Sequence, residues 1–261
     1  MSTLVQLTSV RVEIGDGIAT VTLDRPPLNV LAIALLDELE LAVRDLQGDP
    51  GLRLIVIRGA GRMFSAGVDV GEHLGASLEL MLDAFDGVVR AIVESEIPLL
   101  AVVHGAALGG ACELVALCDL AIAADDAKLG MPEITLGVTP PVGAAVFPSL
   151  VGRQRAHALV LTGELISGAQ AADWGLIWRA APAARLEEDA RTVIESFRGR
   201  SAASLRLAKR TLALAAGPHL RAAISAADAE QRRSLPGLAD ADEGLRAFLE
   251  KRAPSWRASS T

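Results

Sequence analysis

The sequence predicts an α/β fold followed by a helical C-terminal region. Short apolar runs of strand type alternate with amphipathic helical patterns up to about residue 180, and no strand pattern follows residue 183. Alternation of this kind is typical of layered α/β domains. With 261 residues, 51% of them hydrophobic, the chain is long enough to build a sizeable core.

The N-terminal part is predicted to contain a β-hairpin, a helix and a buried strand. Segments 10–14 and 18–24 alternate apolar and polar residues around a Gly-Asp-Gly turn, which is a hairpin pattern. Residues 34–47 repeat apolar side chains at helical spacing and end at a Gly-Asp-Pro sequence that stops a helix. The apolar run 52–60 predicts a strand covered on both faces. The polar, glycine-containing segment 61–73 predicts a loop.

The middle of the chain continues this alternation. Residues 78–95 have a helical pattern, and residues 99–103 predict a second buried strand. The segment GAALGG at 105–110 is predicted to be the turn by which the chain leaves that strand. A short helix over 110–118 and a strand over 119–124 follow. This repeated order of strand, turn and helix is what predicts the layered domain.

The C-terminal part contains only helical patterns, over 185–199, 201–217, 219–233 and 240–252. We place a boundary near residue 198, between a core of residues 1–197 and a helical region of residues 198–261. Helices rich in Ala and Leu after a finished α/β core serve either packing between subunits or an extension of the same core. The pattern alone leaves both alternatives open.

One uncharged stretch, Ile134–Gly152, approaches the length of a transmembrane helix. Prolines and glycines interrupt it, so we predict a buried loop and a short helix instead of a membrane span. The N-terminus lacks the charged and apolar segments of a signal peptide, and we expect a cytoplasmic protein.

Composition argues against several classes of partner. The net charge is −7, from 25 basic and 32 acidic residues, and no basic stripe is present, so neither nucleic acid nor an anionic membrane surface is expected. Cys112 and Cys118 have no second pair that would form a zinc site or a disulfide framework, and we expect buried free thiols. The four histidines lack metal-ligand spacing, and no metal site is predicted. His104, at the end of an apolar strand, is expected to be a hydrogen-bonded core residue.

Two glycine-containing turns carry a first chemical signal. Residues 64–69 (FSAGVD) follow one predicted strand, and residues 108–113 (LGGACE) follow the next. Turns that leave a strand and open a helix present unpaired backbone N–H groups, and two converging N–H groups form an oxyanion hole. The alternative is that the small residues only allow helix and strand to pack closely.

Two glutamates in apolar surroundings carry a second signal. Glu113 lies in the apolar run LGGACELVALCD, and Glu133 lies in GMPEITLG between Pro132 and Ile134. Burial raises the pKa of a carboxyl and mutual repulsion separates a pair, so two such groups can divide the roles of acid and base. The alternative is that each glutamate caps a helix end or pairs with an arginine.

Together these segments resemble the crotonase superfamily of enoyl-CoA hydratases and isomerases. The similarity runs nearly from end to end and rests on LDRPPLNVL (23–31), IRGAGRMFSAGVD (57–69), HGAALGGACELVALCDLAIA (104–123), LGMPEITLGV (129–138), LTGELISGAQAADWGLI (161–177) and FLEKR (248–252). The resemblance implies a spiral of repeated ββα units and a helical C-terminal part that builds homo-trimers, often paired into hexamers. It also implies acyl-CoA thioester substrates and no permanently bound cofactor, because coenzyme A is part of the substrate.

The resemblance also implies roles for individual residues. The backbone N–H groups of Val68 and Gly110 would form the oxyanion hole, and Glu113 and Glu133 would be the catalytic pair of a hydratase. Family members with other activities often lack one of these glutamates, so the presence of both favours hydration. The implied contacts with coenzyme A are an adenine-binding loop, Ala66, Gly67, Val68, Asp69 and Val70, and a C-terminal segment that reaches coenzyme A on a neighbouring subunit, Phe248 and Lys251.

One segment departs from the pattern of many straight-chain hydratases. Those enzymes read PGAGG after the loop that carries the second glutamate, whereas this chain has PPVGA at 140–144. The surrounding sequence is more similar to the cyclic dienoyl-CoA hydratases, and in the family it borders the acyl pocket. The departure therefore leaves the acyl group open, linear or cyclic, but not the CoA thioester.

The implied reaction is the addition of water to an α,β-unsaturated acyl-CoA. Glu113 would hold and deprotonate the water, and Glu133 would deliver a proton to the α carbon. Three alternatives stay open. They are an enoyl-CoA isomerase that shuttles a proton on one glutamate, a hydrolase or decarboxylase of the same fold, and a non-catalytic acyl-CoA-binding protein, against which the paired glutamates argue.

Overall fold

The structure, a computed structural model, describes residues 7–256 apart from the side chains of residues 216–218. In chain order the strands are β1 (Val10–Gly15), β2 (Ile18–Leu23), β3 (Leu54–Gly59), β4 (Leu99–Val103), β5 (Ala106–Leu108), β6 (Leu120–Ala124), β7 (Lys128–Gly130), β8 (Leu165–Ser167) and β9 (Arg179–Ala181). The helices are α1 (Ile33–Leu46), α2 (Ser77–Glu94), α3 (Gly110–Leu117), α4 (Pro141–Val151), α5 (Arg153–Thr162), α6 (Gly168–Trp174), α7 (Leu186–Arg198), α8 (Ala202–Ser234) and α9 (Ala239–Leu249).

The strands form two sheets. The larger sheet has the order β1-β2-β3-β4-β6-β9, in which only the β1–β2 hairpin is antiparallel. The smaller sheet has the order β5-β7-β8. The chain passes from β4 to β5 to α3, and then from β6 to β7 to further helices, so consecutive strands enter different sheets before a helix follows. This winding confirms the spiral of ββα units that the resemblance implied.

The main core combines the larger sheet with buried residues of helices α1 to α7 and with Ile224 of α8. All five residues of β4 are buried, and so are five of the six in β3. Burial along the whole strand is what a parallel strand covered on both faces requires. Helix α1 buries the apolar face that its spacing predicted, which is formed by Leu35, Leu36, Leu39, Ala42, Val43 and Leu46.

The prediction of a simple exit turn at 105–110 was wrong in part. Residues Ala106–Leu108 form β5, which pairs in parallel with β7, and only the residues around it turn. A strand of three residues is too short to show an alternating pattern, and its apolar and small residues read equally well as a turn. This strand is important for the site because it leads directly into α3.

The predicted helices over 201–217 and 219–233 are one helix, α8, of 33 residues. The Gly217-Pro218 sequence predicts a break, because proline removes one helical hydrogen bond and clashes with the preceding turn. Beyond this point α8 is anchored by tertiary contacts: Ile224 is buried in the main core, and α8 packs against α4. Packing of this kind regularly overrides local propensity.

The uncharged stretch that approached transmembrane length consists of a 3-10 turn at Pro132–Leu136, helix α4 and their connections. The loop and the short helix agree with the prediction, but residues 134–137 of the loop are half-buried or exposed and not buried as predicted. Within residues 7–256, no helix combines the length and the apolar character needed to cross a membrane.

Candidate active site

Asn29 holds the loop that follows β3 in place. Its Nδ2 lies 2.8, 2.9 and 3.1 Å from the carbonyl oxygens of Ala60, Met63 and Phe64, and its Oδ1 accepts from the N–H of Arg25. The residue is 2% exposed. A buried amide with this many partners fixes the backbone around it. The Asn29 contacts therefore set the starting point of the 64–69 turn.

The 64–69 turn then pairs with β5, and this pairing leaves one N–H group free. Ser65 bridges Ala107, and the Ser65 Oγ accepts from the N–H of Gly67 at 3.1 Å. Gly67 has φ +99°, and a Cβ there would lie 2.7 Å from the Leu108 carbonyl oxygen, so only glycine fits. The N–H of Val68 has no hydrogen-bond partner among the described residues.

The N-terminus of α3 supplies a second free N–H group beside the first. Gly110 is the first residue of α3, and its N–H lacks a partner within the described part of the chain. A Cβ on Gly110 would lie 2.6 Å from Val68 Cγ2 and 3.0 Å from Phe85 Cε2. Because glycine lacks this atom, the two backbone segments approach each other closely and their free N–H groups border one cavity.

Glu113 is held in the first turn of α3 and is 3% exposed. Its Oε1 accepts a hydrogen bond of 2.7 Å from the N–H of Gly143 at the start of α4. This contact fixes the carboxyl although its other neighbours on α3 are apolar. Because Gly143 is the third residue of α4, the carboxyl satisfies an N-terminal N–H group of that helix, as the predicted helix cap would, whereas no arginine pairs with Glu113 among the described residues.

Glu133 reaches the same place from the 3-10 turn Pro132–Leu136. A Cβ built on Gly109 would lie 2.5 Å from Glu133 Oε1, so that carboxyl lies against the residue that precedes α3. The other oxygen, Oε2, is buried and has no hydrogen-bond partner among the described residues. An unpaired buried carboxyl oxygen costs free energy unless it is protonated or meets a ligand.

The two carboxyls are perturbed in the same direction. Burial raises the pKa of Glu113, against the opposing effect of the backbone N–H groups of Gly143 and Val142. Burial raises the pKa of Glu133 as well, and the charge of Glu113 raises it further. Two neighbouring buried carboxyls do not both ionise readily, so the pair keeps a proton to higher pH than ordinary glutamates. Such a pair can donate one proton and accept another.

This pair should make stability depend on pH. The folded protein holds protons on Glu113 and Glu133 above the ordinary glutamate pKa of about 4.3, where the unfolded chain has lost them. The free energy of unfolding therefore falls as pH rises from that value through the raised pKa values, by up to about 1.4 kcal/mol per pH unit for each carboxyl. We expect the double variant Glu113→Gln, Glu133→Gln to lose this part of the pH dependence in denaturant unfolding at one protein concentration. An unchanged slope between pH 5 and 8 would contradict the assignment.

The free N–H groups and both glutamates border one cavity of about 380 Å³. Eight of the ten residues singled out in the sequence line it, namely Glu113, Glu133, Ala66, Gly67, Val68, Val70, Gly110 and Phe248. Asp69 and Lys251 do not line it. Asp69 turns its carboxylate toward the N–H of Gly71, at 2.9 Å, and toward Arg25, at 3.9 Å. Lys251 is exposed.

Phe248 lies at the cavity of its own chain, 55% exposed on α9. Helix α9 packs on the 3-10 turn that carries Glu133, where the Asp240 carbonyl approaches Gly137. The resemblance implied that this segment reaches coenzyme A on a neighbouring subunit. Within the single chain described, its aromatic side chain instead forms part of the rim of its own cavity.

His73 is a cavity residue that the sequence did not single out. Its Nδ1 lies 2.9 Å from the carbonyl oxygen of Asp69, which can only accept, so Nδ1 carries the hydrogen and Nε2 is an acceptor. Burial lowers the pKa of His73 and favours this neutral form. No sequence spacing pointed to this residue, because its partner is a backbone carbonyl.

The other side chains considered in the sequence lie outside the cavity. The ring of His104 is hydrogen-bonded through Nε2 to the Gly61 carbonyl at 2.9 Å. Cys112 is buried and Cys118 half-buried, and both are free thiols whose pKa is raised by burial. Within the described residues, no group of three or more His, Cys, Asp or Glu side chains is placed to hold a metal ion.

Comparison with known proteins agrees with this geometry. A family model described as Enoyl-CoA hydratase/isomerase matches residues 13–259. The chain belongs to this family. It is therefore an enzyme of the enoyl-CoA hydratase type, and its fold is that of the crotonase superfamily, as the sequence motifs indicated.

Members of the family resemble the chain along its whole length. A probable enoyl-CoA hydratase of Bacillus subtilis is 34% identical over 96% of this chain and 99% of its own. A cyclohexa-1,5-dienecarbonyl-CoA hydratase of Thauera aromatica is 34% identical over 90% of each chain. The crystal structure of an enoyl-CoA hydratase from Mycobacterium avium subsp. paratuberculosis superposes with a TM-score of 0.87 at 28% identity, over 97% of this chain and all of the other.

Proposed function

We propose that this family member adds water across the conjugated double bond of an α,β-unsaturated acyl-CoA. One observation carries the proposal: two buried carboxyls with raised pKa values share a cavity with two free backbone N–H groups. Hydration needs a group that activates water, a group that delivers a proton and donors that stabilise charge on the thioester oxygen. Each of these is available at a named residue of the cavity.

The N–H groups of Val68 and Gly110 would both donate hydrogen bonds to the thioester oxygen. As water adds to the β carbon, negative charge develops on that oxygen, and donors that are already oriented stabilise it. Gly110 is the first residue of α3, so the positive end of the helix dipole adds to this effect. Mutagenesis of side-chain donors in other oxyanion holes places the value of one donor at about 3–4 kcal/mol of barrier.

Glu113 would bind the attacking water and take its proton. The Gly143 N–H holds Glu113 Oε1 in place, and the residue lines the cavity in which the water would lie. Glu133 would carry the proton that the α carbon receives, because its Oε2 is buried without a partner among the described residues. The added hydroxyl comes from water and the added proton from Glu133. The proton taken by Glu113 must then pass to Glu133, which returns the pair to its starting state.

The acyl group would extend past residues 140–144 (PPVGA), the segment that departs from the sequence pattern of straight-chain hydratases. Pro140 and Pro141 line the cavity, and Gly143 of the same segment holds Glu113. The segment therefore contacts both the substrate space and the catalytic group. Its similarity to the cyclic dienoyl-CoA hydratases leads us to propose a cyclic acyl group, and the cyclohexa-1,5-dienecarbonyl-CoA hydratase of Thauera aromatica supports this choice.

A panel of thioesters tests this proposal. Crotonyl-CoA, a longer straight-chain enoyl-CoA and a cyclic dienoyl-CoA are each incubated with the enzyme, and the loss of conjugated thioester absorbance is followed. We expect hydration of the conjugated bond, with the highest kcat/KM for the cyclic substrate. A preference for crotonyl-CoA would contradict the cyclic acyl group, and no turnover of any member would contradict hydration.

The fate of the solvent oxygen distinguishes hydration from isomerisation. Hydration in ¹⁸O-water places the label in a product hydroxyl group, whereas isomerisation moves only protons. A thiol assay detects free CoA and so identifies a hydrolase. A non-catalytic binding protein would bind the thioesters and turn none over.

We also propose that the enzyme is a cytoplasmic homo-trimer or hexamer that needs no cofactor besides the CoA of its substrate. Large apolar side chains on α8 support the oligomer, because Leu207, Leu212 and Leu214 are 58%, 75% and 78% exposed in the single chain. Apolar residues exposed to this extent on one helix favour a subunit contact. The mass of the particle in solution distinguishes the two assemblies.

A further inference from the structure

Gln231 places a polar amide in the wall of the cavity. The residue lies near the C-terminal end of α8 and is 7% exposed. It lines the same cavity as Glu113 and Glu133, whose other wall residues include the apolar side chains of Phe85, Val138 and Leu245. An amide in such a wall is satisfied by an internal partner, by an ordered water or by a ligand that replaces that water.

The amide oxygen has no internal partner among the described residues. Gln231 Oε1 is buried and makes no hydrogen bond with any described residue. The other buried polar atoms without partners are Glu133 Oε2, which belongs to the proposed reaction, and Nε atoms of Arg198 and Arg206, which do not line the cavity. Of these unpaired atoms, only Glu133 Oε2 and Gln231 Oε1 belong to residues that line the cavity, and the proposed reaction does not use Gln231.

The segment of α8 that carries Gln231 is fixed in position, because the next residue in the chain, Arg232, anchors α8 to α2. Arg232 lies 2.6 Å from Asp86 and 3.0 Å from both Glu79 and Asp83 of α2, and it also pairs with Asp228 on α8. Together these contacts join the two helices.

The same contacts locate Gln231 relative to the reacting groups. Phe85 precedes Asp86 in the chain and lies against Gly110. Arg232 binds Asp86, so the part of α8 that carries Gln231 meets α2, the helix whose Phe85 lies against Gly110.

We propose that Gln231 determines specificity by hydrogen bonding to a hydroxyl group on the acyl chain of the substrate, beyond the reacting double bond. The inference rests on the proposed function and adds a chemical class to it: hydroxylated enoyl-CoA thioesters. Gln231 is a binding residue here, and it takes no part in moving protons.

The chemistry of the amide and of the wall selects a hydroxyl. The amide offers one acceptor and an NH₂ donor, and a hydroxyl can donate to the first or accept from the second. A carboxylate or an ammonium group would bring a charge against apolar side chains, which is costly without a counter-charge. An unsubstituted acyl chain would leave the amide oxygen without a partner. Sites with a buried polar group discriminate strongly against ligands that lack its partner.

Matched pairs of substrates test this assignment. The kcat/KM of the unmodified enzyme is compared for a six-carbon trans-2-enoyl-CoA and for the same thioester with a hydroxyl at carbon 4, 5 or 6. We expect at least one hydroxylated member to exceed the plain one by about tenfold or more. A preference for the plain thioester over all three hydroxylated ones, or equal values, overturns the proposal without any variant.

The variant Gln231→Met keeps the length of the side chain and removes the amide. We expect the ratio of kcat/KM between the preferred hydroxylated substrate and the plain one to fall to about one. The control Arg233→Met changes a 74% exposed side chain two residues further along α8, and should keep the ratio of the unmodified enzyme. An unchanged ratio in a folded Gln231→Met enzyme overturns the proposal.

The two proposals fail in different ways. If plain enoyl-CoA thioesters are hydrated but hydroxyl groups bring no preference, the role of Gln231 is wrong and hydration stands. If no enoyl-CoA is hydrated, the hydratase proposal fails. Calorimetric binding of saturated acyl-CoA and hydroxyacyl-CoA to the unmodified enzyme and to Gln231→Met then still tests the amide. The assignment is supported if Gln231→Met binds hydroxyacyl-CoA about tenfold more weakly than the unmodified enzyme does, while both bind saturated acyl-CoA equally. It is overturned if both enzymes bind hydroxyacyl-CoA equally.

Discussion

Replacement of either glutamate by glutamine should lower kcat for enoyl-CoA hydration by about 10²–10⁴-fold, the usual value of general acid–base catalysis. Glutamine keeps the size of the side chain but cannot exchange protons. In Glu113→Gln the amide oxygen can still accept from the Gly143 N–H, so the geometry should persist. In Glu133→Gln the proton source for the α carbon is lost. Steady-state kinetics on the preferred thioester provide the measurement.

The control for these variants is a glutamine at an exposed glutamate. Glu164→Gln removes one negative charge at a residue that does not line the cavity, and should retain the turnover of the unmodified enzyme. Circular dichroism and thermal unfolding establish that the variants remain folded. Turnover within a few-fold of the unmodified enzyme in either cavity variant would exclude a role for that carboxyl in proton transfer.

The parts of the site that are close in sequence could be predicted from the sequence. Gly110 and Glu113 are three residues apart in one helical turn, so a helix that begins near Gly110 brings the N–H and the carboxyl to one end. The apolar residues after Glu113 predicted burial of that helix. The apolar setting of Glu133, 20 residues further on, marked it as a second candidate, but no local pattern specifies its approach to Gly109.

The parts that depend on tertiary packing could not be predicted. Gly143 donates to Glu113 from 30 residues away, and PPVGA was noted for its departure from a pattern, not for this contact. Gln231 belongs to a helix that the sequence divided at Gly217-Pro218. Its position in the cavity depends on how Arg232 joins α8 to α2. A polar residue in a helical pattern carries no sign of which neighbour will bury it.

Gly109→Ala should reduce kcat by about 10²-fold although residue 109 has no reactive group. Gly109 has φ +54°, and a Cβ there would lie 2.5 Å from Glu133 Oε1. The atom at that distance is the end of a flexible side chain, so the Glu133 carboxyl would move away while the backbone stays. Displacement of a catalytic group by about 1 Å is enough for a loss of this size. The variant should also lose about 1–3 kcal/mol of stability through backbone strain.

A second glycine separates the effect of displacement from that of strain. Gly61 has φ +71°, and a Cβ there would meet no atom within 4 Å. Gly61→Ala should therefore lose stability through its backbone without moving a catalytic group, and should keep its turnover. If Gly109→Ala and Gly61→Ala lose turnover equally, strain and not the position of Glu133 limits the reaction. If only Gly109→Ala loses it, with KM less affected than kcat, the Glu133 carboxyl must occupy its observed position for the proton to reach the substrate.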